Sequence, residues 1–157
     1  MQKCKLVLFS LLALFIVTPT IVCAKNYWNN KRSQTRELVQ AGIAYFNQHG
    51  EQQAFKAFNK RYGRFVRGSS HIFVFDYNGV CKANGGNPRF AGQNLLNTRN
   101  IHGNHPVQLL INKTRAGGGW ISYFWKDPAT KKISQKITYV KPLGSEFLIG
   151  SGYYISR

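Results

Sequence analysis

Acidic residues are scarce in this chain. Five Asp and Glu stand against 22 Lys and Arg, which gives a net charge of +17 at pH 7. Glu37, Glu51, Asp76, Asp127 and Glu146 are scattered, so no pair supplies the two carboxylates of glycosidase-type acid–base chemistry. Cysteine is nearly absent too: Cys4 and Cys23 fall in the first 24 residues, leaving Cys81 alone in the remainder. That remainder has no internal disulfide and must be held by a hydrophobic core. After Val22 there is no second long apolar run of the kind that crosses a bilayer.

The one apolar run that is present lies at the start. Met1–Lys5 carries two lysines, and Leu6–Val22 follows without a charge, interrupted by Ser10 and Thr18-Pro-Thr20. Val22-Cys23-Ala24 then places short side chains where a signal peptidase needs them, so residues 1–24 are expected to be a secretory signal cleaved after Ala24. Retention as a membrane anchor is the alternative, against which stand the shortness of the run and its proline. A lipoprotein reading through Cys23 is disfavoured by Val22 before it. Cleavage leaves 20 basic residues against five acids, a charge of +15, which favours anionic partners. Export makes nucleic acid a poor choice among them, and anionic surfaces and small carboxylates take its place.

Residues 25–34 are polar and basic and read as a flexible lead-in. From Thr35 onward Leu38, Val39, Gly42, Ile43 and Phe46 recur at helical spacing, predicting an amphipathic helix over 35–48 that Gly50 ends. A second helix is expected over 51–60, with Ala54, Phe55 and Phe58 as its apolar stripe. The period then changes to that of strands. His71–Asp76 and Val80–Asn84 flank Asn78-Gly79, a pair suited to a two-residue type I′ hairpin. Residues 85–104 form a long Gly/Asn/Pro-rich loop, which in a compact domain is usually functional. A short helix opened by Pro106 precedes Gly117–Gly119 and three strands at 120–125, 132–141 and 147–155, joined by short turns. Strands joined by hairpins mean an antiparallel sheet in an α+β fold, one domain over 35–157.

Nucleophilic chemistry finds little support. His49, His71, His102 and His105 show no spacing that selects a triad with Cys81 or a serine, and Cys81 reads as a small core residue, so the chain is not expected to be an enzyme. His102 and His105 lack the thiol or acid that would complete a metal site, and no metal or cofactor is expected. The three-glycine run lacks the Lys and Ser/Thr of a phosphate loop and leads into a strand. The strand region is more informative. Ile121, Tyr123 and Trp125 share one face, and Trp120, Ser122 and Phe124 the other. Lys136, Thr138 and Val140 alternate with Ile137, Tyr139 and Lys141, which brings a cation near Tyr123 and Trp125. A lysine among hydroxyl and indole donors in an apolar cup would suit a small carboxylate. Spacing alone favours the ordinary alternative, aromatics in the core with a lysine on a solvated face.

Five segments then point the same way. Phe73-Val-Phe-Asp76-Tyr-Asn-Gly79, Gly92-Gln-Asn-Leu95, Gly117-Gly-Gly-Trp-Ile-Ser-Tyr-Phe-Trp125-Lys-Asp-Pro128, Lys136-Ile-Thr-Tyr-Val140 and Ile149-Gly-Ser-Gly152-Tyr, in that order and spacing, resemble a single Cache domain of type 2 over residues 35–155. The resemblance implies a PAS-like fold, with a long N-terminal helix packed on a central antiparallel sheet and a ligand pocket between the sheet and its covering loops. It also implies an extracytoplasmic sensor module for small molecules, often short carboxylates. The implied pocket residues are Tyr123, Trp125, Lys136 and Tyr139, with Phe73, Phe75, Asn84 and Phe90 as walls. Receptors of this type continue into a second span and an output domain, whereas this sequence stops at Arg157. The expectation is therefore a freestanding periplasmic or secreted binder of a small anionic ligand, with a membrane-bound sensor or transport partner. The competing expectation is a basic interaction protein that docks an anionic envelope component or a partner sensor without any small ligand.

Overall fold

The computed structural model describes residues 19–155, with side chains from Asn26 onward. The leader expected over residues 1–24 lies outside the described residues apart from the helical backbone of 19–24. The first element, α1, runs Pro19–Phe58 and is interrupted at Gly50, whose φ of 75° and ψ of 173° belong to a region open to glycine. The two helical stretches read from the sequence thus flank Gly50. Residues 25–34, expected as a flexible lead-in, are helical instead. Their polar composition conceals a docking surface: Trp28 stacks on Tyr153 with ring centroids 5.9 Å apart, and the Arg32 guanidinium lies 4.3 Å from the Trp120 ring.

A small ribbon, β1 (Val66–Arg67) and β2 (Ser70–His71), follows α1, and then comes the five-stranded antiparallel sheet. Its strands are β3 (Phe73–Asp76), β4 (Cys81–Asn84), β5 (Gly119–Lys126), β6 (Ile133–Leu143) and β7 (Phe147–Ile155), in the spatial order β4-β3-β7-β6-β5. Between β4 and β5 lie a 3₁₀ turn at Pro88–Phe90 and helix α2, Pro106–Arg115. Pro142 sits inside β6 because the pairing with β5 ends at Val140, so its missing N–H interrupts no ladder on that side.

The β3–β4 turn differs from the expected type I′. Asn78 keeps a negative φ, since Lys131 is the one non-glycine described residue with a positive φ. The Gly79 N–H donates to the Asp76 carbonyl at 3.1 Å, and Gly79 itself has φ 85°. The Asp76 carboxylate organises the turn by accepting from the N–H groups of Asn78 and Val80 at 3.0 and 2.9 Å. The result is a three-residue loop, a type I turn closed by a left-handed glycine.

Each sheet face has its own core. On one side α1 buries Leu38, Val39, Ala54 and Phe58 against Ile72, Val74, Leu143, Phe147 and Ile149. On the other, α2 and the long loop place Val107, Leu110, Ile111 and Leu95 over Phe73, Phe75, Cys81, Tyr123, Val140 and Leu148. The strand period assigns residues to faces, and the second face is where space is left.

Candidate functional site

A narrow cavity, with a free volume of about 20 Å³, opens between the second sheet face and its cover. The sheet supplies Phe73 and Phe75 from β3, Asn84 from β4, Tyr123 and Trp125 from β5, and Lys136 from β6. Phe90 from the 3₁₀ turn and Leu95 from the long loop close one side, and Pro106, Val107 and Leu110 of α2 form a lid. That is room for about one or two waters, so a ligand here has few heavy atoms and is admitted only as the walls around it move apart.

Register brings the polar groups together. Tyr123 pairs directly with Lys136 across β5 and β6, so the two side chains stand side by side on one face. Lys136 is only 2% exposed, and its Nζ lies 5.0 Å from the Phe73 ring centroid and 5.3 Å from that of Tyr154. Among the described residues it makes no hydrogen bond or ion pair. Burial pushes its pKa down to about 7, while the charge of Asp127 acts in the opposite direction. An amine so placed holds a proton only loosely until an anion arrives beside it.

Tyr123 is also buried, and burial pushes its pKa up to about 12, so its hydroxyl stays protonated; the Thr138 Oγ1 donates to that hydroxyl at 3.3 Å, leaving the tyrosine proton free to point into the cavity. Asn84 is 7% exposed, and its Oδ1 is held by the N–H groups of Gly86 and Asn87 at 3.0 and 2.9 Å. This fixes which way the amide faces, and its Nδ2 has no partner among the described residues. His71 lies nearby. Burial, then the Lys136 charge, push its pKa down to about 3, so it is neutral, with Nδ1 bonded to the Ser69 carbonyl at 3.0 Å. The Phe73 ring reaches the cavity over Gly150, where an added Cβ would stand 2.5 Å from the Phe73 Cζ.

Of the residues named from the sequence, Tyr123, Trp125, Lys136, Phe73, Phe75, Asn84 and Phe90 share this cavity. Tyr139 does not. It belongs to the alternate set of β6 and stands on the opposite face, where it packs against Trp120 at 5.1 Å and under the Arg36 guanidinium. The sequence reading missed the α2 lid, although Pro106, Val107 and Leu110 recur at helical spacing, and it missed Thr138, the neighbour of Lys136 on the same strand face. Cys81 is fully buried, its thiol pKa is raised to about 12 by burial, and its Sγ bonds the Ala83 carbonyl at 3.5 Å, which is the environment of a core residue rather than a nucleophile. Among the described residues no group of three or more His, Cys, Asp or Glu is placed to share a metal ion. No helix among them is long and apolar enough to cross a membrane.

The fold is that of known chemosensory domains. It is similar to a methyl-accepting chemotaxis protein from Vibrio parahaemolyticus, with a TM-score of 0.73 and 18% identity over 88% of this chain and 98% of that one. It is also similar to a Cache chemosensory domain solved for the structural basis of its carboxylic acid recognition, with a TM-score of 0.69 and 21% identity over 84% and 98%. In sequence, 86 residues are 33% identical to the sensor histidine kinase MctS of Rhizobium johnstonii, covering 54% of this chain and 19% of the kinase, so the chain corresponds to about a fifth of that protein. The Single Cache domain 2 family matches residues 51–157, which takes in the whole sheet, α2 and the cavity between them. The chain belongs to the Single Cache domain 2 family of extracytoplasmic sensor domains.

Proposed function

We propose that this domain binds a small carboxylate-bearing metabolite in the cavity beneath α2. The observation that carries the proposal is Lys136, a buried amine facing a cavity with no ion pair among the described residues. A buried cation is costly unless it is paired, and an incoming carboxylate is the partner that removes the cost. Tyr123 and the Asn84 amide add oriented donors, and Phe73, Phe75, Phe90 and Trp125 give the apolar walls that suit a short alkyl or keto chain. The Cache domain described above for carboxylic acid recognition supports the same ligand class. Binding, rather than turnover, is the role: the neutral His71 and the inert Cys81 supply no acid–base pair or nucleophile. The domain works outside the cytoplasm after loss of residues 1–24 and reports its occupancy to a membrane-bound sensor or transport partner.

A thermal-shift screen of the purified protein against acetate, propionate, pyruvate and lactate tests this. A ligand at a hundred times its Kd stabilises the folded state by about 2.7 kcal/mol, a shift of several degrees. At least one of these acids should produce it, and Lys136→Ala should abolish it while leaving the protein folded. Absence of any shift, together with an empty protein in native mass spectrometry, would count against the carboxylate reading.

A further inference from the structure

Asn84, Phe90 and Trp125 have a second side. Beyond them the surface opens into a groove of about 440 Å³, lined by Arg61 after α1, Arg89 in the 3₁₀ turn, and Lys126 and Lys131 around the β5–β6 turn. All four cations are exposed. The two ion pairs among the described residues, Arg67 with Glu37 and Lys82 with Asp76, use none of them. The single acid in the groove, Asp127, is already engaged: its carboxylate accepts from the Ala129 N–H at 2.9 Å and the Thr130 hydroxyl at 3.2 Å. Lys131 adopts a φ of 62°, in the left-handed region, and its Nζ donates to the Pro128 carbonyl at 2.7 Å, so the turn holds this residue at the groove despite an unfavourable backbone. Asn84, buried and with its Nδ2 unpartnered, stands where groove and cavity meet.

We propose that this groove is a second anion-binding site, separate from the cavity, for a compact and multiply charged oxyanion of the phosphate or pyrophosphate class. The cavity and the groove divide the chemistry. The cavity is narrow, mostly apolar in its walls and carries one cation, which suits a monoanion with an apolar body. The groove is open to solvent and carries four exposed cations at its rim, and a single exposed charge pair contributes little, so only an anion that meets several of them at once binds there. The proposal does not rest on what the cavity holds.

Titration of the full chain with pyrophosphate by isothermal calorimetry at low ionic strength tests it. Saturable one-to-one binding that weakens with added salt is expected. Arg89→Ala with Lys126→Ala should weaken it about tenfold, through two lost charge-assisted contacts. Both residues are exposed, so the variant keeps its fold. Lys136→Met should leave the affinity unchanged. The pair Lys56→Ala with Arg99→Ala removes the same charge from exposed sites outside the groove and should change the affinity by less than about twofold. No saturable binding would overturn the proposal. So would an equal loss in the Lys56 and Arg99 pair, which marks general attraction, or a loss in Lys136→Met, which places the anion in the cavity.

Discussion

Replacing Lys136 by Met should make the ligand-free protein more stable while making it blind to carboxylates. The side chains are of similar length, but Met brings no charge into the cavity. In the folded chain burial holds the Lys136 pKa at about 7, against 10.5 in its ordinary state. At about 1.4 kcal/mol per pH unit this corresponds to an upper bound of roughly 5 kcal/mol spent on the buried charge below neutral pH. Water entering the cavity relaxes part of it, so a gain of about 1–3 kcal/mol is expected for the variant at pH 6. At about 3 °C per kcal/mol for a domain of this size, Tm rises by roughly 3–9 °C. The sign follows from proton counts. Between about pH 7 and 10.5 the unfolded chain binds a proton at Lys136 that the folded chain has lost, so wild-type stability rises with pH across that window. The gap between variant and wild type is therefore widest below pH 7 and closes towards pH 10.5. Calorimetric melts of both proteins at pH 6, 8 and 10 measure it. A variant less stable than wild type at pH 6, or a gap that does not change with pH, would show that Lys136 carries no buried-charge cost.

Three further outcomes follow from the same geometry. Carboxylate affinity should fall about tenfold per pH unit above 7, because the free protein must then take up a proton at Lys136; of the other groups facing it, His71 titrates near 3, Tyr123 near 12, Tyr154 is raised by burial, and Asp127 is a carboxylate held by two donors. Calorimetry from pH 6 to 9 checks this, and a flat profile would contradict it. Tyr139→Ala should cost about 1–3 kcal/mol through lost packing on Trp120 yet leave the carboxylate thermal shift in place, since Tyr139 faces α1; loss of the shift in a folded variant would overturn the face assignment. Cys81 should resist iodoacetamide at pH 8 in the folded protein and react after denaturation, because its thiol is buried and its pKa is near 12. Rapid alkylation of the native protein would show that β4 opens.

Much of this arrangement is legible in the sequence because strands and helices impose simple periods. Alternation along β5 and β6 puts Tyr123, Trp125 and Lys136 on one face, and it assigns Tyr139 to the other, so the misplaced tyrosine came from carrying a family pattern across a residue whose parity argued otherwise. The helix after Thr35 and the stop at Gly50 follow from local rules as well. What period alone does not reveal are contacts between distant segments. The helicity of residues 25–34 depends on Trp28 and Arg32 meeting Tyr153 and Trp120, and no local pattern in a polar stretch announces partners more than eighty residues away. The β3–β4 turn departs from its local signal for a different reason: Asn-Gly favours type I′, but the Asp76 carboxylate captures two backbone N–H groups and sets a longer loop. The groove of Arg61, Arg89, Lys126 and Lys131 is likewise invisible in composition, which gives the excess of charge but not where it gathers.

Whether Lys136 anchors a carboxylate in the cavity under α2 is decided by a crystal structure of the protein grown with pyruvate or acetate. The carboxylate should lie within hydrogen-bond distance of the Lys136 Nζ and the Tyr123 hydroxyl, with its remaining atoms against Phe73 and Phe75. A cavity filled only by water at saturating ligand, or a carboxylate bound elsewhere with Lys136 untouched, would contradict it.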